Sequence, residues 1–226
     1  MVEHVYRRAA SAVRTTSVLV ATDDQRVYDA VTAFGGNVRL TKRHHRNGTE
    51  RLGEVAHDLT SDLVVNLQAD EPLVDPASID LALSAFDGDP TLNMATLRTP
   101  ITDPGDRADP HVVKVVVDRN DFALYFSRSA IPHMDVADDS VDSGQPGPTP
   151  TSSKHIGLYV YRRDFVLRLA TLEPTPLEQL ERLEQLRALE HGYRIKVLET
   201  AHDPIGVDTP QDLERVRRIV GAGASQ

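Results

Sequence analysis

Apolar and polar positions recur along this chain with two periods. Val2, Val5, Tyr6, Ala9, Ala10 and Val13 fall at helical spacing and predict an opening amphipathic helix. Val18 to Ala21 is a short apolar run ending at Thr22-Asp23, which predicts a strand. Gln25 to Phe34 predicts a helix stopped by Gly35-Gly36. Val38 to Leu40 predicts a strand, Thr49 to Leu59 a helix, and residues 63–67 a buried strand. This alternation predicts an α/β fold with a mainly parallel sheet and helices on both faces.

The second half is less regular. Met94 to Leu97, Val112 to Val117, Ala123 to Phe126, Ile156 to Tyr161 and Ile195 to Leu198 predict strands. Residues 135–153 are rich in Gly, Pro, Ser and Asp and predict a surface loop. Pro176 to His191 reads as one helix ended by Gly192, with leucines at 177, 180, 183, 186 and 189. That spacing drifts around a helix and makes a wide apolar arc, core or dimer interface. Glu178, Glu181, Glu184 and Gln185 lie between the leucines, and most are expected in solvent. Thr209 as N-cap and Pro210 at the first helical position open a last helix. No repeat or linker interrupts the chain, so a single domain over residues 1–226 is the simplest reading. A parallel sheet of this class normally begins with a strand. Here a helix comes first: either that helix packs unusually, or the natural first strand is missing.

Composition narrows the function. The net charge of -9 argues against a nucleic-acid partner. The absence of cysteine excludes disulfides, thiolate metal sites and cysteine nucleophiles. With no membrane-length apolar run and no apolar leader, the expectation is a cytoplasmic protein without membrane insertion. Neither G-x-x-x-x-G-K-[ST], G-x-G-x-x-G nor H-E-x-x-H occurs, which argues against Walker-type, Rossmann and zincin chemistry. His44-His45 lacks zinc-site spacing and reads as a solvated loop.

In open α/β sheets, ligands sit beyond the carboxyl ends of the strands. Gln68-Ala69-Asp70-Glu71 and Gly206-Val207-Asp208 both lie at such ends. Asp70 and Asp208 either converge on one Mg²⁺, which favours oxygen ligands and phosphates, or cap helices and face water. Asn47-Gly48-Thr49-Glu50-Arg51 is a turn opening a helix, whose amides either hold a polar ligand group or serve as a plain cap. Arg128, just past an apolar strand, either clamps a carboxylate or forms a surface ion pair.

The stretches NLQADEP, NGTERLGEVA, VVKVVVD, ALYFSRSAIP, HIGLYVYRRDF, PLEQLERLEQLRALEHG and GVDTPQDLERVR occur in this order. They resemble the 3-deoxy-manno-octulosonate cytidylyltransferases, also called CMP-Kdo synthetases, over nearly the whole chain. The resemblance implies transfer of CMP from CTP to Kdo with release of pyrophosphate, in synthesis of a lipopolysaccharide-type glycan. The sugar's anomeric hydroxyl would attack the α-phosphorus in line, with Mg²⁺ neutralising charge. It implies that Asp70 and Asp208 are catalytic metal ligands and that Gln68 lies beside them. Asn47, Gly48 and Arg51 would meet the base, while Arg128, His155, Tyr159, Glu184 and Gln185 would hold the sugar, Arg128 taking its carboxylate. It also implies a homodimer. The sequence departs from the family pattern at Asn47, usually serine, and at Ala69, usually glycine. It also lacks the family's opening strand and phosphate-binding loop. Two other functions stand beside this one: a non-catalytic sugar-binding or dimerising remnant, and a cytidylyltransferase for a related 2-keto-3-deoxy sugar acid.

Overall fold

The computed structural model describes residues 1–45, 48–133, 152–207 and 209–223. Eight strands are described: β1 (Val20–Thr22), β2 (Val38–Leu40), β3 (Leu63–Asn66), β4 (Met94–Pro100), β5 (Lys114–Val117), β6 (Ala123–Ser127), β7 (Ser153–Arg162) and β8 (Ile195–Glu199). The helices are α1 (Val2–Ser11), α2 (Gln25–Ala33), α3 (Gly48–Ala56), α4 (Pro76–Ser84), α5 (Pro104–Ala108), α6 (Arg163–Leu169), α7 (Pro176–Glu181), α8 (Gln185–Glu190) and α9 (Pro210–Gly223).

The strands β6-β5-β7-β4-β8 form a sheet that β3 joins by pairing with β7, while β1 and β2 pair in parallel apart from it. The α/β class is as expected, but the ladder is mixed. β4 and β8 pair in parallel, whereas β7 is antiparallel to β3, β4 and β5, and β6 is antiparallel to β5. β3, β4, β5 and β8 therefore share one direction, and β6 and β7 run against them. Local periodicity identifies a strand without giving its direction; β7 sits centrally and reverses most pairings. Helices cover both faces, because alternate residues of one strand point to opposite sides. Met94, Tyr159, Tyr161, Ile195 and Val197 join a core with Phe165 of α6 and Leu186 of α8. Ala95, Leu97, Ile156, Leu158 and Val160 join another with Ile79 and Leu83 of α4.

The helix expected from Pro176 to His191 is broken. α7 ends at Arg182, whose backbone is left-handed (φ 55°, ψ 48°), and α8 restarts at Gln185. Leucines three apart fall about 60° behind at each step of a straight helix. The break instead lets Leu183 and Leu186 bury, while Leu180 stays 79% exposed. Glu178 is not in solvent: with Arg187 it forms a buried ion pair (2.5 and 2.7 Å) that ties α7 to α8. Ser153, expected in a loop, is buried in β7, and residues 134–151 of that loop lie outside the described residues. His45 is half-buried against Glu54 rather than solvated. Thr209 caps α9 as expected, exchanging hydrogen bonds with Asp212.

Candidate active site

The sheet forks along one edge of β7. β4 pairs with β7 from Ser153 to Tyr161 on one side. On the other side β5 pairs only at Ser153 and Lys154, and β3 only from Tyr159 to Arg162. Between them the edge carries no strand partner among the described residues, save the His155 N–H donating to Val113 O (2.8 Å). A cavity of about 450 Å³ opens at this fork, beyond the carboxyl end of β3.

Gln68, Asp70 and Glu71, directly after β3, line it. The turn is closed by Glu71 N–H donating to Gln68 O (3.3 Å). Two bonds join it to the segment after β8: Val207 N–H donates to Asp70 O (2.9 Å), and His202 Nε2 bonds Leu73 O (3.1 Å). The acids that end the apolar run thus stand on a cavity wall. Asp208 lies outside the described residues, as does Asn47.

The break between α7 and α8 delivers Glu184 and Gln185 to the same cavity. The Glu184 carboxylate accepts from Thr49 N–H (3.1 Å) and Thr49 Oγ1 (2.6 Å), so it caps the start of α3. Gly48 is a close neighbour of Gln68: a Cβ there would lie 3.8 Å from Gln68 Nε2. Arg51 is not in the lining. It bonds Thr41 Oγ1 and pairs with Asp23 (3.2 Å), at the carboxyl ends of β2 and β1.

Arg128 lines the cavity, and its surroundings explain the Tyr-Phe-Ser-Arg stretch. Glu181 accepts from Ser127 Oγ (2.6 Å), Tyr125 OH (3.3 Å) and Arg128 N–H (2.9 Å). Burial pushes the Glu181 carboxyl up, but these donors outweigh it and hold it below the usual range. The guanidinium itself donates to backbone carbonyls, Nε to Glu181 O (2.9 Å) and Nη1 to Pro110 O (3.0 Å). Those contacts orient it without cancelling its charge. Sequence reasoning missed Lys114, which is fully buried and donates to Asp109 O, Val112 O and Arg128 O (2.8, 2.6 and 2.5 Å). It also missed Lys154, in the lining between Asp203 (2.6 Å) and Asp106 (3.2 Å). The lysine inside the apolar run Val112 to Val117 was the available signal for the first.

His155, Tyr159 and Gln185 also line the cavity. Thr96 Oγ1 lies 2.8 Å from Leu158 O and 2.9 Å from His155 Nε2. Ile156 O is a second acceptor for the hydroxyl (3.1 Å), and with the single Thr96 proton given to either carbonyl, His155 Nε2 would carry a hydrogen and leave Nδ1 an acceptor. Burial lowers the imidazole to about 3, so it is neutral at physiological pH. Burial, with the nearby Tyr161 and Glu184, raises Tyr159 well above its ordinary value and keeps it a phenol donor. Gln185 is 6% exposed, and its Nε2 has no hydrogen-bond partner among the described residues. Of the predicted residues, Gln68, Asp70, Arg128, His155, Tyr159, Glu184 and Gln185 converge on one cavity; Gly48 borders it and Arg51 does not reach it.

A family profile described as cytidylyltransferase matches residues 1–196. The 3-deoxy-manno-octulosonate cytidylyltransferase of Solibacter usitatus (strain Ellin6076) is 50% identical over 226 residues, covering 100% of this chain and 86% of the relative. The protein of that name from Geotalea uraniireducens (strain Rf4) is 52% identical over 217 residues, covering 96% and 86%. Among solved structures, a CMP:2-keto-3-deoxy-manno-octonic acid synthetase complexed with CTP superposes with TM-score 0.88 at 40% identity, covering 98% of this chain and 88% of that one.

Proposed function

The chain belongs to the cytidylyltransferase family, and from that premise we propose that it joins CTP to Kdo, giving CMP-Kdo and pyrophosphate, as a single-domain enzyme. The observation that carries this reading is the Gln185 amide, buried on the cavity wall beside Glu184, Tyr159 and His155 with its Nε2 left without a described partner. A buried donor without an acceptor costs about 1–3 kcal/mol. A sugar hydroxyl would remove that cost.

In this reading, Arg128 receives the sugar carboxylate, held ready by two carbonyls. Tyr159 donates to a hydroxyl, His155 Nδ1 and Glu184 accept from others, and Gln68 positions the reacting end. Gly48 and Arg51, with Asn47, take the nucleotide end. Asp70 and Asp208 hold Mg²⁺. The fit is reasonable: the Asp70 loop is bonded to Val207, the residue before Asp208, and stands on an open cavity. Mg²⁺ generally uses one or two carboxylates, with waters and substrate phosphates completing its shell. When bound, it would neutralise charge developing on the phosphates. A homodimer fits the exposed Leu124 and Leu180, on β6 and α7. No helix among the described residues is long and apolar enough to cross a membrane.

The test is pyrophosphate release from CTP and Kdo with Mg²⁺, beside Asp70→Ala and Gln185→Ala. Release that falls at least about a hundredfold in the first variant, with a raised KM for Kdo in the second, is expected. Faster turnover of an amino-substituted octulosonate or a sialic acid would reassign the sugar, and binding without release would leave a sugar-binding remnant.

A further inference from the structure

The cavity lining holds three basic side chains of lysine or arginine, and they are not equivalent. Lys154 is neutralised by Asp106 and Asp203. Arg128 and Arg182 take part in no ion pair among the described residues. Four acids, Asp70, Glu71, Glu184 and Asp203, stand in the same lining. An anionic group that brings no metal ion is therefore favoured where those two guanidiniums outweigh the carboxylates.

Arg182 is also a backbone exception. It sits at φ 55° and ψ 48°, a left-handed position that ends α7 and that glycine occupies at least cost. A side chain there is strained by its Cβ. Nothing about ending the helix calls for an arginine. The carbonyl just before it, Glu181 O, is the one that anchors Arg128 Nε at 2.9 Å. Both arginines thus belong to one rim of the cavity, joined through a single peptide unit.

From this juxtaposition we infer that Arg182 is a specificity-determining residue, a second guanidinium that receives the carboxylate of the sugar acid together with Arg128. The inference rests on the function proposed above and deepens it. Two guanidiniums on one carboxylate favour an acid over a neutral sugar, and the exposed side chain of Arg182 needs no buried partner before the ligand arrives.

Glycine at this position relieves the backbone while removing the charge, so the expected effects on stability and binding have opposite signs. Titration calorimetry with Kdo, and with its methyl ester, is run on the wild-type chain, Arg182→Gly and Arg182→Lys, with melting temperatures alongside. In Arg182→Gly the Kd for Kdo is expected to rise roughly tenfold, while the melting temperature holds or rises. Arg182→Lys recovers most of the affinity, and the methyl ester binds wild type and Arg182→Gly alike. Unchanged Kdo affinity in Arg182→Gly overturns the inference and leaves Arg182 a helix terminus. A loss of affinity that accompanies a fall in melting temperature, without rescue by lysine, overturns it too. Wild-type protein that binds no Kdo refutes the proposed function itself, and the inference with it.

Discussion

Lys114 and Lys154 are register partners in the β5–β7 ladder, yet their surroundings drive their charges in opposite directions. Lys114 is fully shielded from water and meets three neutral carbonyls. Burial dominates there and pulls the ammonium below its ordinary 10.5, the nearby Asp109 charge only partly opposing it. Lys154 keeps 17% of its side chain exposed and meets two carboxylates. Burial alone would lower it, but Asp203 and Asp106 outweigh burial and raise it. Carbonyls satisfy a cation's hydrogens; only carboxylates replace the charge stabilisation that water supplied. Lys114 is suited to fixing the backbone that carries Arg128. Lys154 ties the wall carrying Asp203 to α5.

The largest test of this contrast is removal of each amine. Lys114→Met strands three carbonyls and is expected to cost roughly 3–5 kcal/mol in urea denaturation. Lys154→Met leaves two carboxylates that water can still reach, and about 1 kcal/mol is expected. Equal losses would break the comparison.

The pH dependence sharpens it. The folded value of Lys114 lies below 10.5, so the unfolded chain binds more protons between the two values, and stability rises with pH across that window. The folded value of Lys154 lies above 10.5, so its stabilisation is complete below 10.5 and is lost as pH rises through the folded value. Denaturation of wild type and each variant from about pH 8 to 11 should give difference curves of opposite slope. Parallel curves would contradict the assignment.

The smallest effect lies in the cavity wall. Asp203→Asn removes one of the two counter-charges of Lys154 and one carboxylate from the wall, so the KM for Kdo should fall roughly two- to fivefold, with stability little changed. A KM shift confined to CTP would place that wall at the nucleotide end instead.

Much of the molecule is legible from local pattern. The strand at Leu63 to Asn66, the acids after it, the arginine after the Ala123 to Ser127 strand and the Thr209 cap all depend on residues a few positions apart. The break at Arg182 was not legible, because the leucine spacing runs through it and no glycine marks it. Nor was the burial of Glu178, whose partner Arg187 matters only once α7 and α8 fold back on each other. The lysine in Val-Val-Lys-Val-Val-Val was visible as an oddity, but its three acceptors span residues 109 to 128.

The sequence by itself determined the α/β class, most elements and the identity of the side chains that carry chemistry, since periodicity and capping act over one or two turns of chain. Only the tertiary structure decided that β7 runs against its neighbours and opens a fork, and that Glu184 and Thr49 meet across 135 positions. It alone decided which of two paired lysines loses water without gaining a counter-charge. Strand direction and desolvation depend on contacts between distant segments, and no local pattern encodes them.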